Sequence, residues 1–137
     1  MLVFAGLGLL LETLQGFKVG AYLDVSNETR RMLWRLAHAH GTLLGVVHVL
    51  FGLMMRTEAD RPLPKAHLVS QTLTLASLLV PSGFFLGGFG FVGGDPGLAV
   101  LLVPIGAVLL IAALFLLGAS VGSEDAAKGT GGRTKDR

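Results

Sequence analysis

From Leu36 to Met55 the chain runs for twenty residues without a charge, closed at its ends by Arg35 and Arg56. No other feature constrains the fold as much. A helix rising about 1.5 Å per residue covers about 30 Å over such a run, the thickness of a bilayer's hydrocarbon core. Two further stretches are at least as long: Ala66 to Gly94, between Lys65 and Asp95, and Pro96 to Ser123, between Asp95 and Glu124. A fourth, Met1 to Phe17, is shorter and is interrupted by Glu12 and Gln15. It lacks the basic start and small-residue cleavage site of a signal peptide. It reads as a first span continued toward Leu23, with Lys18 snorkelling to the surface. A misassigned start codon would also account for its abrupt beginning.

Backbone groups in lipid must be satisfied within each segment, so spans of this kind are helices. The expected fold is an all-α, polytopic membrane protein: a four-transmembrane-helix bundle over residues 1–120, with short loops. The spans are expected at about 1–22, 33–55, 66–87 and 97–119. Ser26 or Asn27 can cap the second span, with Glu28 in its first turn. "RTEADRPLPK" reads as a solvent turn bracketed by Pro62 and Pro64, and residues 121–137 as a disordered cytoplasmic tail. Apolar residues make up 52% of the 137, more than a small soluble core can hide, so lipid is the expected surroundings. The absence of cysteine excludes disulfides, thiolate metal sites and cysteine nucleophiles. The net charge is only +2, with the cations in loops and tail, which argues against nucleic acid as a partner.

Lysine and arginine set the orientation. Lys18, Arg30, Arg31 and Arg35 lie on one side; Arg56, Arg61, Lys65, Lys128, Arg133, Lys135 and Arg137 lie on the other. The larger group belongs in the cytoplasm, which puts both termini inside, in a multi-pass protein of a bacterial inner membrane.

The stretch "GFFLGGFGFVGGDPG" matches the dinucleotide fingerprint at Gly88, Gly90 and Gly93. That motif works only between a strand and a helix. Here it follows an apolar helix and precedes a turn, so no nucleotide partner is expected, and Phe84, Phe85, Phe89 and Phe91 read as interfacial aromatics. The fourth span has no ionisable group and is expected to be the most lipid-exposed, kinked at Pro104.

The chemistry, if any, lies in "WRLAHAHGTLLGVVHV". At about 100° per residue, His38, Gly41, Gly45, His48 and Gly52 share one helix face, and His40 points nearly the opposite way from His38. The glycine face is a close-approach surface for another helix. No two of these histidines can chelate one ion from a single helix, since i and i+2 diverge and i+10 lie about 15 Å apart. Haem b or a metal would need a ligand from elsewhere, with His67 the only further histidine in the chain and His48 of a second copy the other source. Glu12 and His38 are matched in depth, about 8 to 9 Å from the same surface. Gly8, Glu12 and Gln15 share a face, so Glu12 and His38 could form a carboxylate–imidazole pair suited to proton transfer, with Arg35 competing for Glu12. The plainer reading gives each histidine a carbonyl one turn away or a neighbouring hydroxyl or amide, Gln71 or Thr74 for His48. "SQTLTLAS" reads likewise as back-bonding to helix carbonyls.

At "LETLQGFK" and "NETRRMLWRLAHAHGTLLG" the chain resembles small uncharacterised bacterial membrane proteins with four spans, a resemblance that carries no activity. "AHAHGTLLG" is also similar to the histidine-bearing helices of haem-copper oxidase and nitric oxide reductase relatives. It differs in having Gly41 after the second histidine and in lacking the other ligand helices. The expected function is that of a structural or accessory subunit packing through Gly41, Gly45 and Gly52 as a homo-oligomer or within a larger membrane complex. The alternative is a proton-, quinone- or haem-handling unit built on Glu12, His38, His40 and His48.

Overall fold

The computed structural model describes residues 1–57, 65–90 and 94–131. Over these residues the chain is helical, with α1 Leu2–Gly16, α2 Gly20–Leu23, α3 Glu28–Thr57, α4 Ala66–Gly87 and α5 Leu102–Gly131. Short 3-10 turns at Val25–Asn27 and Leu98–Leu101 lead into α3 and α5. The expected turn at Pro62 and Pro64, Phe91 and Gly93 of the glycine-rich stretch, and the tail from 132 to 137 lie outside the described residues.

Among the described residues three segments are long and apolar enough to cross a membrane: Glu28–Thr57, Ala66–Gly87 and Leu98–Ser120. They coincide with the second, third and fourth expected spans. The first expected span does not run to residue 22. α1 has 15 residues, about 22 Å of rise, short of a full crossing. It stops because its last turn closes into a left-handed cap: the Val19 amide donates to the Leu14 carbonyl at 3.0 Å and the Lys18 amide to the Gln15 carbonyl at 3.1 Å. This is the paired-bond motif that normally places glycine at the reversing residue. Here Lys18 takes it at φ 51°, while Leu14 and Val19 line one small apolar cavity beside the cap. Lys18→Gly is therefore expected to raise stability by about 1 kcal/mol, read as a higher midpoint of thermal unfolding in detergent; an unchanged or lower midpoint contradicts this account of the cap.

α1 runs antiparallel to α3. Added Cβ atoms would bring Gly8 against His38, Gly41 against Phe4 and Gly45 against Met1, which fixes the register of the pair. α3 presents Leu33, Ala37, Gly41 and Leu44, and α4 presents Val69, Leu73, Ala76 and Val80, to the small common core. These spacings of three and four residues are those of a buried helical stripe. α4 and α5 approach closely through glycine: a Cβ on Gly106 would lie 2.7 Å from Val80 Cγ2 and one on Gly83 2.9 Å from Val103 Cγ2, the small-residue packing typical of helices in lipid. Outward faces carry large apolar side chains such as Leu53, Leu78, Ile111 and Phe115, and Leu98–Ser120 is the least buried of the three long segments, as expected.

Two expectations about α5 are corrected. Pro104 falls in its first turn, where a missing amide hydrogen is tolerated, so it makes no mid-helix kink; the proline inside a helix is the fully buried Pro81 of α4. The helix also continues to Gly131, past the expected start of a disordered tail at 121. Extending an established helix adds one hydrogen bond per residue without a new nucleation cost, and "SEDAAK" contains helix formers enough to exploit that.

Candidate functional site

The three histidines of α3 are set apart by the helical period and by which neighbour each side meets. His38 faces α1, where the absence of a side chain at Gly8 lets the imidazole reach the backbone: its Nδ1–H donates to the Phe4 carbonyl at 2.8 Å. His40 faces the other way, as expected. Its Nδ1–H donates to the Leu36 carbonyl one turn back at 2.8 Å, and its ring lies 5.0 Å from that of Phe84 on α4. His48 is rotated about 80° from His38 and meets α4, not α1. Its Nε2 lies 3.2 Å from Thr74 Oγ1 and its Nδ1 3.3 Å from Ser77 Oγ. Because the Thr74 hydroxyl already donates to the Ser70 carbonyl at 2.7 Å, a neutral ring carrying its hydrogen on Nε2 donates to Thr74 and accepts from Ser77. Thr72 back-bonds to Leu68 in the same way.

The proposed pair of Glu12 and His38 is not formed. Leu11, 4% exposed, occupies the face of α1 that meets α3, and Glu12 one residue on is turned outward. The arginine expected to compete for Glu12 instead donates from Arg35 Nη2 to Gln15 Oε1. The face of α3 read as one glycine stripe also divides. Gly41 and Gly45 are covered by Phe4 and Met1 of the chain's own α1, while nothing lies within 4 Å of an added Cβ at Gly52.

Sequence reading missed the importance of the other end of α3. Trp34 Nε1–H donates to the Phe85 carbonyl at 3.2 Å, its ring lies 6.0 and 5.3 Å from those of Phe85 and Phe89, and Gly88 leaves the space it fills. Arg30 stacks 5.7 Å above the Trp34 ring and donates to the Gly88 carbonyl, and Thr29 donates to the Gly94 carbonyl at 2.7 Å. The only signal was the interfacial character of the lone tryptophan and the phenylalanines. The 3-10 turn that leads into α3 is capped by Asp24: its carboxylate accepts from the Ser26 amide at 2.8 Å and hydroxyl at 2.6 Å. Those bonds hold the Asp24 carboxyl below its ordinary value, with the Arg31 charge adding to the effect.

Two grooves are lined by polar side chains. One, about 770 Å³, lies between α3 and the α1–α2 corner and is lined by Gln15, Glu28, Arg31 and Arg35 above Met32 and Leu36. The other, about 450 Å³, follows α4 along His67, Ser70, Gln71 and Thr74. His67 therefore borders Thr74, while His48 directs both ring nitrogens at hydroxyls, so these two histidines do not converge. Among the described residues no group of three histidine, aspartate or glutamate side chains could hold a metal ion. A haem ligated twice within one chain finds no pair either, since His38, His40 and His48 address α1, α3's own backbone and α4 respectively.

Comparison with protein-family models, with curated proteins and with solved structures gives no match to this chain.

Proposed function

We propose that the chain is a structural or accessory subunit of a bacterial inner membrane that acts by helix association, a second copy being its partner. In this reading Glu28–Thr57, Ala66–Gly87 and Leu98–Ser120 cross the bilayer. α1 enters beside α3 as the fourth membrane segment. Its N-terminal end points toward the Arg56 side and stops beside Gly45, partway along α3. The larger group of cations, from Arg56 onward, faces the cytoplasm.

One observation carries the association: α4 exposes His67, Gln71 and Thr74 along one face, on a helix apolar enough to cross. An amide facing hydrocarbon without a partner is costly, and polar side chains in such helices face other protein. Glutamine both donates and accepts, so a two-fold arrangement satisfies Gln71 with Gln71 of the partner copy, between the exposed leucines Leu68, Leu75 and Leu78. This stripe takes the role assigned from sequence to Gly41 and Gly45, which α1 already covers.

The test is energy transfer between two labelled populations of the full chain in lipid vesicles, as the protein-to-lipid ratio is varied. Self-association above random proximity is expected, weakened by Gln71→Leu by about 1 kcal/mol, roughly fivefold. Transfer no greater than random proximity, or indifferent to Gln71→Leu, overturns the proposal.

A further inference from the structure

The groove between α3 and the α1–α2 corner sits where a bilayer's headgroups would be. Arg35 closes the charge-free run that begins at Leu36, and Trp34 with Phe85 and Phe89 forms an aromatic cluster at the same level, the usual depth for such residues. Arg31 and Arg35 stand one turn apart and therefore share a helix face. Each guanidinium carries five N–H donors. Arg31 gives one to the Tyr22 carbonyl at 3.4 Å and Arg35 gives one to Gln15 Oε1, which leaves each guanidinium donors beyond these bonds on a side chain that lines the groove.

The groove is not simply basic. Glu28 lines it one turn nearer to water than Arg31, and Asp24 is near enough to feel the Arg31 charge. Toward the membrane interior its wall is apolar, formed by Leu36 and Ala39, while Met32, 52% exposed, lies between the levels of the two arginines. Cations, then a carboxylate on the aqueous side, then an apolar wall on the hydrocarbon side match one chemical order: acyl chain, phosphate, ammonium.

We propose that this groove binds the head of a phospholipid bearing a primary ammonium, such as phosphatidylethanolamine, with the phosphate between Arg31 and Arg35 and the ammonium on Glu28. The acyl chain lies along Leu36 and Ala39. A head with a phosphate and no ammonium brings its charge beside Glu28 without pairing it. A quaternary ammonium keeps the charge but has no hydrogen to give the carboxylate. The proposal rests on the membrane reading above, and its test separates the two.

The full chain, purified in detergent and delipidated, is titrated with phosphatidylethanolamine, phosphatidylglycerol and phosphatidylcholine and the bound lipid is counted by native mass spectrometry. The ethanolamine lipid is expected to bind about tenfold more tightly than the other two. Arg31→Gln with Arg35→Gln should weaken all three lipids, the ethanolamine lipid tenfold or more, because each carries the phosphate. Glu28→Gln, an exposed and conservative change, should reduce the ethanolamine lipid to the level of the others and leave phosphatidylglycerol unweakened. Soluble glycerophosphoethanolamine should not displace the lipid; displacement at equal concentration would make the ligand a free phosphodiester and overturn the lipid assignment. Equal binding of all three lipids, or a preference untouched by the variants, sinks this proposal alone. A chain that stays compact and monodisperse in water without detergent sinks the membrane reading with it.

Discussion

Trp34→Ala is expected to lower the stability of the chain in detergent by about 3 kcal/mol, the low end for loss of a large aromatic because this ring is only half-buried. The ring joins the start of α3 to the end of α4: it packs against Phe85 and Phe89, fills the space left by Gly88 and supports Arg30 on its outer face. Truncation removes all of these at once. The Arg30 bond to the Gly88 carbonyl then loses the surface that orients it. The closure of the following loop, in which the Gly97 amide donates to the Gly87 carbonyl at 2.9 Å, loses its support. Unfolding followed by circular dichroism should show the lower midpoint, and hydrogen exchange at Gly97 should quicken. Trp34→Phe separates packing from hydrogen bonding. It keeps most of the ring contact and leaves the Phe85 carbonyl its second donor, the Gly88 amide at 3.2 Å, so its cost is expected to be about 1 kcal/mol. If the alanine variant unfolds with the native chain, the two helix ends are held by something other than this residue.

The extent of the long helices was legible because charge and solvent agree about where hydrocarbon begins. Ala66–Gly87 coincides with the expected span, bounded by Lys65 and the glycine pair at 87 and 88. α3 begins five residues earlier than expected, at Glu28 instead of 33. Arg30 and Arg31 are good helix formers that the hydropathy of the span does not register. The partner of His38 was not legible. Counting depth from the two helix ends places Glu12 opposite His38, but the helices choose their register by shape. The ring enters where α1 has no side chain, at Gly8, and Gln15 then falls beside Arg35. Of the glycine stripe on α3, Gly41 and Gly45 are met closely by Phe4 and Met1 of the same chain, while Gly52 stays open. What covers a surface is decided by where a neighbouring segment ends, and the cap at Lys18 that folds α1 back onto α3 depends on a left-handed residue that nothing in a lysine announces. The stripe on α4 was visible in the sequence as hydroxyls and an amide, yet whether it faces inward or outward is fixed only once α3 and α5 have taken the opposite faces.

Gly8→Ala should produce the other large effect, detachment of α1 from α3 at a cost of about 1–3 kcal/mol. The added Cβ would lie 2.1 Å from His38 Cε1, 2.2 Å from Nδ1 and 2.7 Å from Nε2, distances at which either the ring or the helix must move. The ring cannot swing aside without giving up its bond to the Phe4 carbonyl, so the methyl group forces the helices apart and carries Phe4 away from Gly41 and Met1 from Gly45. Thermal unfolding in detergent, followed by circular dichroism, should show a lower midpoint for Gly8→Ala than for the native chain, in which Leu11 is 4% exposed against α3. The clash also predicts its own remedy. In a His38→Ala background the ring is absent, and the further change at Gly8 should cost little or slightly stabilise through the better helix propensity of alanine. Gly6→Ala and Gly16→Ala, with nothing within 4 Å of the added atom, are the controls and should not lower the midpoint. A Gly8→Ala variant whose cost is the same with and without His38 would show that the histidine is not what holds the two helices in register.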